Sequence, residues 1–504
     1  MALAQAAGQQ QVQFLQETLL AGSEAMSSFQ KGFEPLPKGF PPGPEGDVAI
    51  DLVGDPLAFT TQAARKYGGI VGLRIAGQNV VLVSDPLLAK RVLIEDSKSY
   101  QKEGTAFFPN SSLTGNGLLV SDGEVWQRQR RLSNPAFRQA AVNSYSRAIS
   151  QAAERLVHRR WRAGGARDVY ADFNDLSLQV VTQALFGSEV PPALAADVRE
   201  AIQDAFEYFG RRAAGGAAIP EWVPIPENLQ FQASVTRLET LVYSIIETRR
   251  EYLRHREGAT ASQDSFEGGL VDQLLQARDD GEGGDGEGMS DLGLRDEIMT
   301  LIIAGAETTG LSLTWIAAML AEYPDVAERI RVEVNSVAPA PQHLSSHHYS
   351  ELRVTQAVVL ETLRIRPPAY MVGRCASHDV QLGPHELAAG TTVLISPYIL
   401  HRNPEYWDRS AEFIPGRWLD AEGQVLPEAL RGMGLHGCYI PFGGGPRNCI
   451  GTGFAMMELV LVIALIMREC ELSLPPGTPS PEPNALITLR PPSTVQLNII
   501  KNSD

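Results

Sequence analysis

The sequence predicts a mainly α fold with small β-sheets (α+β), and three observations lead to it. Across residues 122–276 apolar positions recur mostly at helical spacing. Residues 292–323 form one long apolar helical pattern that Pro324 stops, and the strand-like runs are short and scattered. In chain order, residues 35–47, with Pro41-Pro42-Gly43-Pro44, make a stiff, turn-rich lead-in. Residues 70–75 and 80–83, joined by a turn containing Gly77, read as a hairpin. An acidic, glycine-rich run at 279–288 follows the helical region and reads as an exposed flexible loop; its acids miss the ligand positions of an EF-hand. At 1.5 Å per residue the 292–323 helix is roughly 45–50 Å long, and Gly305 in it leaves room for a neighbour and is a site for a local kink. Helices at 326–337 and 351–364 precede short strands at 372–376 and 392–395. An irregular region opening at His401, a last helix at 453–468 and a terminal hairpin at 486–500 complete the chain.

Composition narrows the function classes. A formal charge of −16 over 504 residues argues against nucleic acid and anionic membrane as bulk partners. The four cysteines show no C-x-x-C spacing and so no zinc or disulfide framework; Cys375, Cys438 and Cys470 read as ordinary thiols. Near the N-terminus no window reaches the roughly 18 uninterrupted apolar residues of a spanning helix, so no transmembrane anchor is expected. Val12, Leu15, Leu19 and Met26 share a helical face, which allows at most peripheral membrane contact. A soluble or peripheral intracellular protein, cytoplasmic or in an organelle such as a plastid, is the expectation.

The chemistry concentrates in Phe442-Gly443-Gly444-Gly445-Pro446-Arg447-Asn448-Cys449-Ile450-Gly451. This glycine-rich loop delivers one cysteine to the start of an apolar helix, as a thiolate ligand to haem iron requires. The glycines let the backbone pass close to a flat macrocycle at positive φ, and unpaired N–H groups with the helix dipole favour the thiolate. A thiolate on haem iron favours O–O cleavage. Taken on its own, the loop is also the setting of a buried, inert cysteine, the lesser reading.

The spacing Phe442, Gly445, Arg447, Cys449, Gly451, continued through Phe454, Ala455 and Glu458, resembles the haem-binding signature of the cytochrome P450 family, the haem-thiolate monooxygenases. Ala304-Gly305-Ala306-Glu307-Thr308-Thr309, Glu361-Thr362-Leu363-Arg364 and Phe413-Ile414-Pro415-Gly416-Arg417-Trp418 resemble further motifs of that family in the expected order. The resemblance implies the family's triangular fold, with haem between the long central helix and the cysteine-loop helix. Residues 1–34 are then an N-terminal extension, 35–47 a proline-rich lead-in and 48–504 the catalytic domain.

By the same resemblance Cys449 is the axial ligand of the iron in haem b. Phe442 and Gly451 belong to the haem-binding loop, and Trp126, Arg130, Arg374 and Arg447 serve the propionates. Thr308 and Glu307 become the oxygen-activating alcohol and acid. Read locally, a mid-helix threonine bonds a carbonyl one turn back and a glutamate marks a solvated face, although the apolar neighbours of Glu307 make a solvated face awkward. Glu361 and Arg364 share a helix face and pair either at the surface or, as in the family, buried with Arg417 in a structural network holding the cysteine loop. Gly416 departs from the acid common at its position, and Ala306 from the common histidine, which widens the pocket.

The implied activity is hydroxylation or epoxidation of a lipophilic small molecule by dioxygen. Electrons come from NAD(P)H through a separate redox partner, a reductase or ferredoxin, docking at the cysteine side of the haem. Arg128, Arg130, Arg131 and Arg138 lie in one helical region, as a basic patch for an acidic donor or as a solvated face. Residues 100–118, 206–222, 368–372 and 485–488 should line the pocket with Ala304. Phe107, Phe108, Phe206, Tyr208, Phe209, Tyr370 and Met371 make these segments apolar, which suits a fatty acid, terpenoid, carotenoid or other isoprenoid. A hydroperoxide isomerase or peroxygenase, and a non-enzymatic haem binder, are the alternatives; a retained Glu307–Thr308 pair speaks against both.

Overall fold

The structure, a computed structural model, describes residues 36–502 apart from 104, 106–111, 187–191, 216–220, 257–268, 280–285 and 431–436. Phe107, Phe108 and the N-terminal amphipathic stretch lie outside the described residues. The helical body comprises α1 (Gly123–Ser133), α2 (Gln139–Arg155), α3 (Val169–Phe186), α4 (Pro192–Gly215), α5 (Pro226–Arg256), α6 (Asp291–Glu322), α7 (Pro324–Val337), α8 (Arg353–Ile365) and α9 (Thr452–Glu469). The 32-residue α6 starts at Ser290, whose Oγ accepts the Gly293 N–H at 3.1 Å, and ends where Pro324 opens α7. It is apolar all round because it is buried all round: α3 lies along it, and α9 packs on α2, α6, α7 and α8. By length and composition α6 could cross a membrane, but 78% of its most apolar window is buried inside the protein, as a core helix is. Trp161, Phe173 and Trp418 are fully buried in the main apolar core.

The strands are β1 (Ile70–Ile75), β2 (Gln78–Val83), β3 (Tyr100–Gln101), β4 (Gly165–Asp168), β5 (Val372–Ala376), β6 (Val380–Leu382), β7 (His385–Leu387), β8 (Thr392–Ile395), β9 (Cys470–Ser473), β10 (Asn484–Ala485), β11 (Leu489–Arg490) and β12 (Gln496–Lys501). The main sheet runs β1-β2-β8-β5-β3, with only β2–β8 parallel. Ile75 pairs with Gln78, so the first hairpin turns on Ala76 (φ 49°) and Gly77 (φ 76°), both left-handed as a type I′ turn requires. The Asp47 carboxylate accepts both turn N–H groups, at 3.0 and 2.7 Å, and holds Ala76 in that conformation.

Two expectations are corrected. The terminal hairpin is split: β11 pairs with β10, whereas β12 joins β9 and β4 in a separate sheet. Pro491 and Pro492 lack amide donors and end β11 before it can pair onward. The acidic run does not begin as an exposed loop, because Asp279 is buried and accepts Arg131 at 3.0 and 2.9 Å, with Arg128 3.6 Å away. Its remaining acidic stretch, 280–285, is outside the described residues.

Candidate active site

Before α9 the chain makes a tight loop in which the Cys449 N–H donates to the Phe442 carbonyl at 2.9 Å and the Asn448 N–H to the Gly445 carbonyl at 3.1 Å. Gly443 (φ 72°) and Gly445 (φ 68°) take the positive values expected. At Gly445 the close approach is to protein: a Cβ there would overlap the backbone carbonyl of Leu93, in a π-helical turn at Arg91–Glu95. The Thr452 hydroxyl donates to the Cys449 carbonyl at 2.9 Å, joining the loop to the first turn of α9.

Cys375, Cys438 and Cys470 are buried, whereas Cys449 is exposed. The Gly451 N–H, the Arg130 and Lys102 charges and the Thr452 hydroxyl favour its thiolate, as expected, yet desolvation by the surrounding loop outweighs them and pushes the thiol up. The N–H and charge contributions expected to favour the thiolate are thus present, and burial opposes them.

The propionate candidates converge. Arg130 donates to the Asn448 carbonyl and side-chain oxygen, both at 3.0 Å, and so sits on the cysteine loop. Arg447 donates to the Ser121 carbonyl and the Asp122 carboxylate, and its guanidinium lies 4.5 Å from the centre of the Trp126 ring. Its Nη1 is buried without a partner among the described residues. Arg374, nearly fully buried, donates to its neighbour Gly373 at 2.8 Å and is pushed down to about 10 by burial and by Arg447. Lys102, which the sequence reading missed, is buried among them: its ammonium donates to the Leu119 carbonyl at 2.5 Å and is pushed well down by burial, then by Arg374 and Arg447. Such a cluster of desolvated cations beside a cysteine, with an orphaned N–H, fits the two carboxylates of a haem.

The neighbouring arginines differ. Arg128 and Arg131 bind Asp279, and Arg128 also donates to the Gly288 carbonyl at 2.9 Å. The basic patch thus has two of its charges neutralised within the chain; Arg138 stays exposed.

On α6 the Thr308 hydroxyl donates to the Ala304 carbonyl at 2.7 Å, one turn back, and its lone pairs remain to accept. Gly305 does leave room for a neighbour, since a Cβ there would press on the Val181 side chain of α3, and the helix is unbroken through it. Glu307 is no solvated face: it is buried, 2.8 Å from the Arg490 guanidinium, with the Thr488 hydroxyl 3.4 Å from the same carboxylate oxygen. Burial pushes its carboxyl up, and Arg490 partly offsets this. Residues 489–490 are held there by Trp315, whose indole donates to the Leu489 carbonyl at 3.1 Å, and by the Leu489 N–H on the Pro368 carbonyl at 2.9 Å.

Glu361 is the hub of the third constellation. Its carboxylate accepts Arg364 Nε and Nη2, each at 2.9 Å, Arg417 Nε at 3.1 Å, the Trp418 indole at 2.9 Å and the Ile414 N–H at 2.8 Å. The pair is fully buried, so the surface reading is excluded. Arg364 also donates to the carbonyls of His401, Ser410 and Glu412. His401 Nε2 accepts the Ile440 N–H at 2.8 Å, and the Tyr439 hydroxyl reaches the Leu360 carbonyl at 2.9 Å, which fastens the network to the segment entering the cysteine loop.

Several expected pocket aromatics are core instead. Tyr208 stacks on Phe231 at 4.2 Å between α4 and α5, Phe209 packs edge-on against both, and the Tyr370 hydroxyl donates to the Leu486 carbonyl at 2.6 Å. Phe206 lies under Arg490, 5.1 Å from ring centre to guanidinium.

The family model described as Cytochrome P450 matches residues 37–499. The chain is 32% identical to cyclooctatin synthase of Streptomyces melanosporofaciens, over 88% of this chain and 91% of that one. It is 28% identical to pentalenene oxygenase of Streptomyces avermitilis (90% and 94% covered) and 28% identical to the chloroplastic carotene epsilon-monooxygenase of Arabidopsis thaliana (85% and 79%). The crystal structure of a cytochrome P450DA heme domain superposes with a TM-score of 0.77 at 25% identity, covering 92% of this chain and 98% of that one.

Proposed function

The chain belongs to the cytochrome P450 family, and on that premise we propose that it hydroxylates or epoxidises an isoprenoid skeleton, a terpenoid or carotenoid. It is a monooxygenase that uses haem b and takes electrons originating from NAD(P)H through a separate redox partner. Bound haem b supplies the activation of dioxygen. Around it, Cys449 is the proposed iron ligand, and Arg130, Arg374, Arg447, Lys102 and Trp126 hold the propionates. Glu361, Arg364 and Arg417 keep the cysteine loop in place. Glu307 would hold a proton on its carboxyl and Thr308 Oγ1 would relay it toward the dioxygen that haem b would activate; two protons in all and two electrons from the redox partner account for the one oxygen atom that leaves as water while the other enters the substrate. The catalytic domain is taken as 48–504, behind the lead-in 35–47 and the extension 1–34, and the enzyme as soluble or peripheral.

The observation that carries the oxygenase reading is the buried, cation-paired Glu307 immediately before Thr308 on α6. For the substrate class the support is that pentalenene and carotene, named in two relatives, are isoprenoid hydrocarbons. The test is optical titration of the haem-loaded protein with cyclic terpene hydrocarbons, β-carotene and fatty acids, followed by product analysis under labelled dioxygen. Isoprenoids should shift the spin state and gain one labelled oxygen; a shift and product with fatty acids alone would overturn the isoprenoid assignment.

A further inference from the structure

Between the end of α2 and the outer side of α3 the structure has a cavity of ≈ 260 Å³, where one water needs only roughly 10–15 Å³. Arg155, Arg159 and Arg160 wall it on one side and Asp172, Asp175 and Gln183 on the other. These α3 positions face away from α6, which α3 meets through Val181 at Gly305 and Asn174 at Gly310, so the cavity is separate from the site described above. The chain leaves α2 through a π-helical turn, Leu156–Arg160, closed by the Trp161 N–H on the Leu156 carbonyl five residues back, at 2.9 Å. In an α-helix a residue five places on points well off the face of the first, whereas the wider turn brings Arg155, Arg159 and Arg160 to one wall.

Both acids of the cavity already have partners. Asp172 is buried and accepts the Trp161 indole at 2.6 Å, with Arg160 2.5 Å and Arg167 of β4 3.3 Å away. Asp175 pairs with Arg160 at 2.5 Å and with Arg199 of α4. Glu154 and Glu200, the acids next to the cluster in sequence, pair with His343 and Arg237. Five arginines, Arg155, Arg159, Arg160, Arg167 and Arg199, thus meet two carboxylates, a surplus of three positive charges in a chain whose formal charge is −16. Arg155 donates to the Gln183 side chain at 3.1 Å, and the exposed Arg159 makes no hydrogen bond or ion pair among the described residues. The Arg199 guanidinium is pushed down by burial and then by the charge of Arg160, as crowded cations are.

We propose that this cavity is a binding site for a phosphate-bearing polyanion, a diphosphate or phosphomonoester, held by Arg155, Arg159 and Arg160. A monocarboxylate balances one of the three surplus charges, whereas such a phosphate balances two or more. Its tetrahedral oxygens accept guanidinium forks arriving from different heights along the wall, and the amides of Gln179 and Gln183 are neutral donors beside them. A ligand seated there ties the end of α2 to α3, and its binding is independent of the oxygenase chemistry proposed above.

The test is calorimetric titration of the haem-loaded protein with inorganic pyrophosphate at fixed ionic strength, beside sedimentation with phosphatidylcholine vesicles that carry phosphatidic acid. One pyrophosphate per chain should bind saturably. Arg155→Gln combined with Arg159→Gln should weaken it about tenfold or more, while Arg162→Gln, at an exposed arginine outside the cavity, should leave it within about twofold. An unchanged spectrum of the reduced variants with carbon monoxide shows that they keep their fold around haem. Vesicle capture that pyrophosphate displaces and the double variant abolishes assigns the phosphate to a lipid headgroup; pyrophosphate binding without vesicle capture assigns it to a soluble ligand. No saturable binding at millimolar pyrophosphate overturns the site. So does binding that the double variant leaves unchanged, or that Arg162→Gln weakens equally, which is the behaviour of surface charge alone.

Discussion

Replacing Arg364 by methionine keeps an unbranched apolar stem and removes the guanidinium fork. Two hydrogen bonds to Glu361 are lost, and the carbonyls of His401, Ser410 and Glu412 lose their donor. Glu361, fully buried, keeps Arg417, the Trp418 indole and the Ile414 N–H but loses the guanidinium that balances most of its charge. Breaking one side of a buried ion pair costs about 3–5 kcal/mol, or between two and four orders of magnitude in the folded-to-unfolded ratio. That is about a fifth or more of a typical stability of about 5–15 kcal/mol. Urea unfolding read by tryptophan fluorescence suits the site, because Trp418 donates to Glu361 and Trp407 lies 5.2 Å from the Arg364 guanidinium. The midpoint should fall sharply and the haem Soret band should be lost at lower urea, since the network ties to Tyr439 and Ile440 shortly before Cys449. Arg364→Lys should also be impaired, because a point charge cannot make the fork. A wild-type midpoint with full haem retention in Arg364→Met would refute the claim that this network holds the loop.

Other perturbations have equally definite outcomes. Lys102→Met should speed haem loss to an apomyoglobin acceptor several-fold, because one desolvated cation of the cluster is gone; an unchanged rate would place Lys102 outside the propionate site. Burial, then Arg364 and Arg402, push His401 from 6.5 down to about 3, so its folded form stays neutral while the unfolded chain takes up a proton. Its contribution to stability is complete above pH 6.5 and is lost as pH falls toward 3, with a slope of about 1.4 kcal/mol per pH unit. Urea midpoints between about pH 7 and pH 4 should therefore fall more steeply in wild type than in His401→Gln. Thr308→Ala should lower product formed per reducing equivalent while electron consumption continues, and unchanged coupling would count against the role given to its hydroxyl.

Features carried by local pattern were legible in the sequence. The bounds of α6 follow from an apolar run closed by Pro324, and the cysteine loop and the Glu361–Arg364 pair are set within a few residues of chain. Features created by packing were not. Lys102 sits in no motif, and only the fold puts it against Arg374 and Arg447. Arg490 reaches Glu307 from a position 183 residues later because Trp315 and Pro368 hold β11 in place. Asp279 read as part of a solvated acidic run, yet two arginines of α1 draw it into the interior. The helix dipole suggested a ready thiolate at Cys449, whereas the desolvation that opposes it depends on the folded loop.

The central claim, that Cys449 binds haem iron as a thiolate, is tested most directly by the absorption spectrum of the dithionite-reduced, haem-loaded protein with and without carbon monoxide. The account requires a strongly red-shifted Soret band that disappears in Cys449→Ala. Its absence from intact, haem-loaded wild-type protein, or its survival in Cys449→Ala, would contradict the assignment.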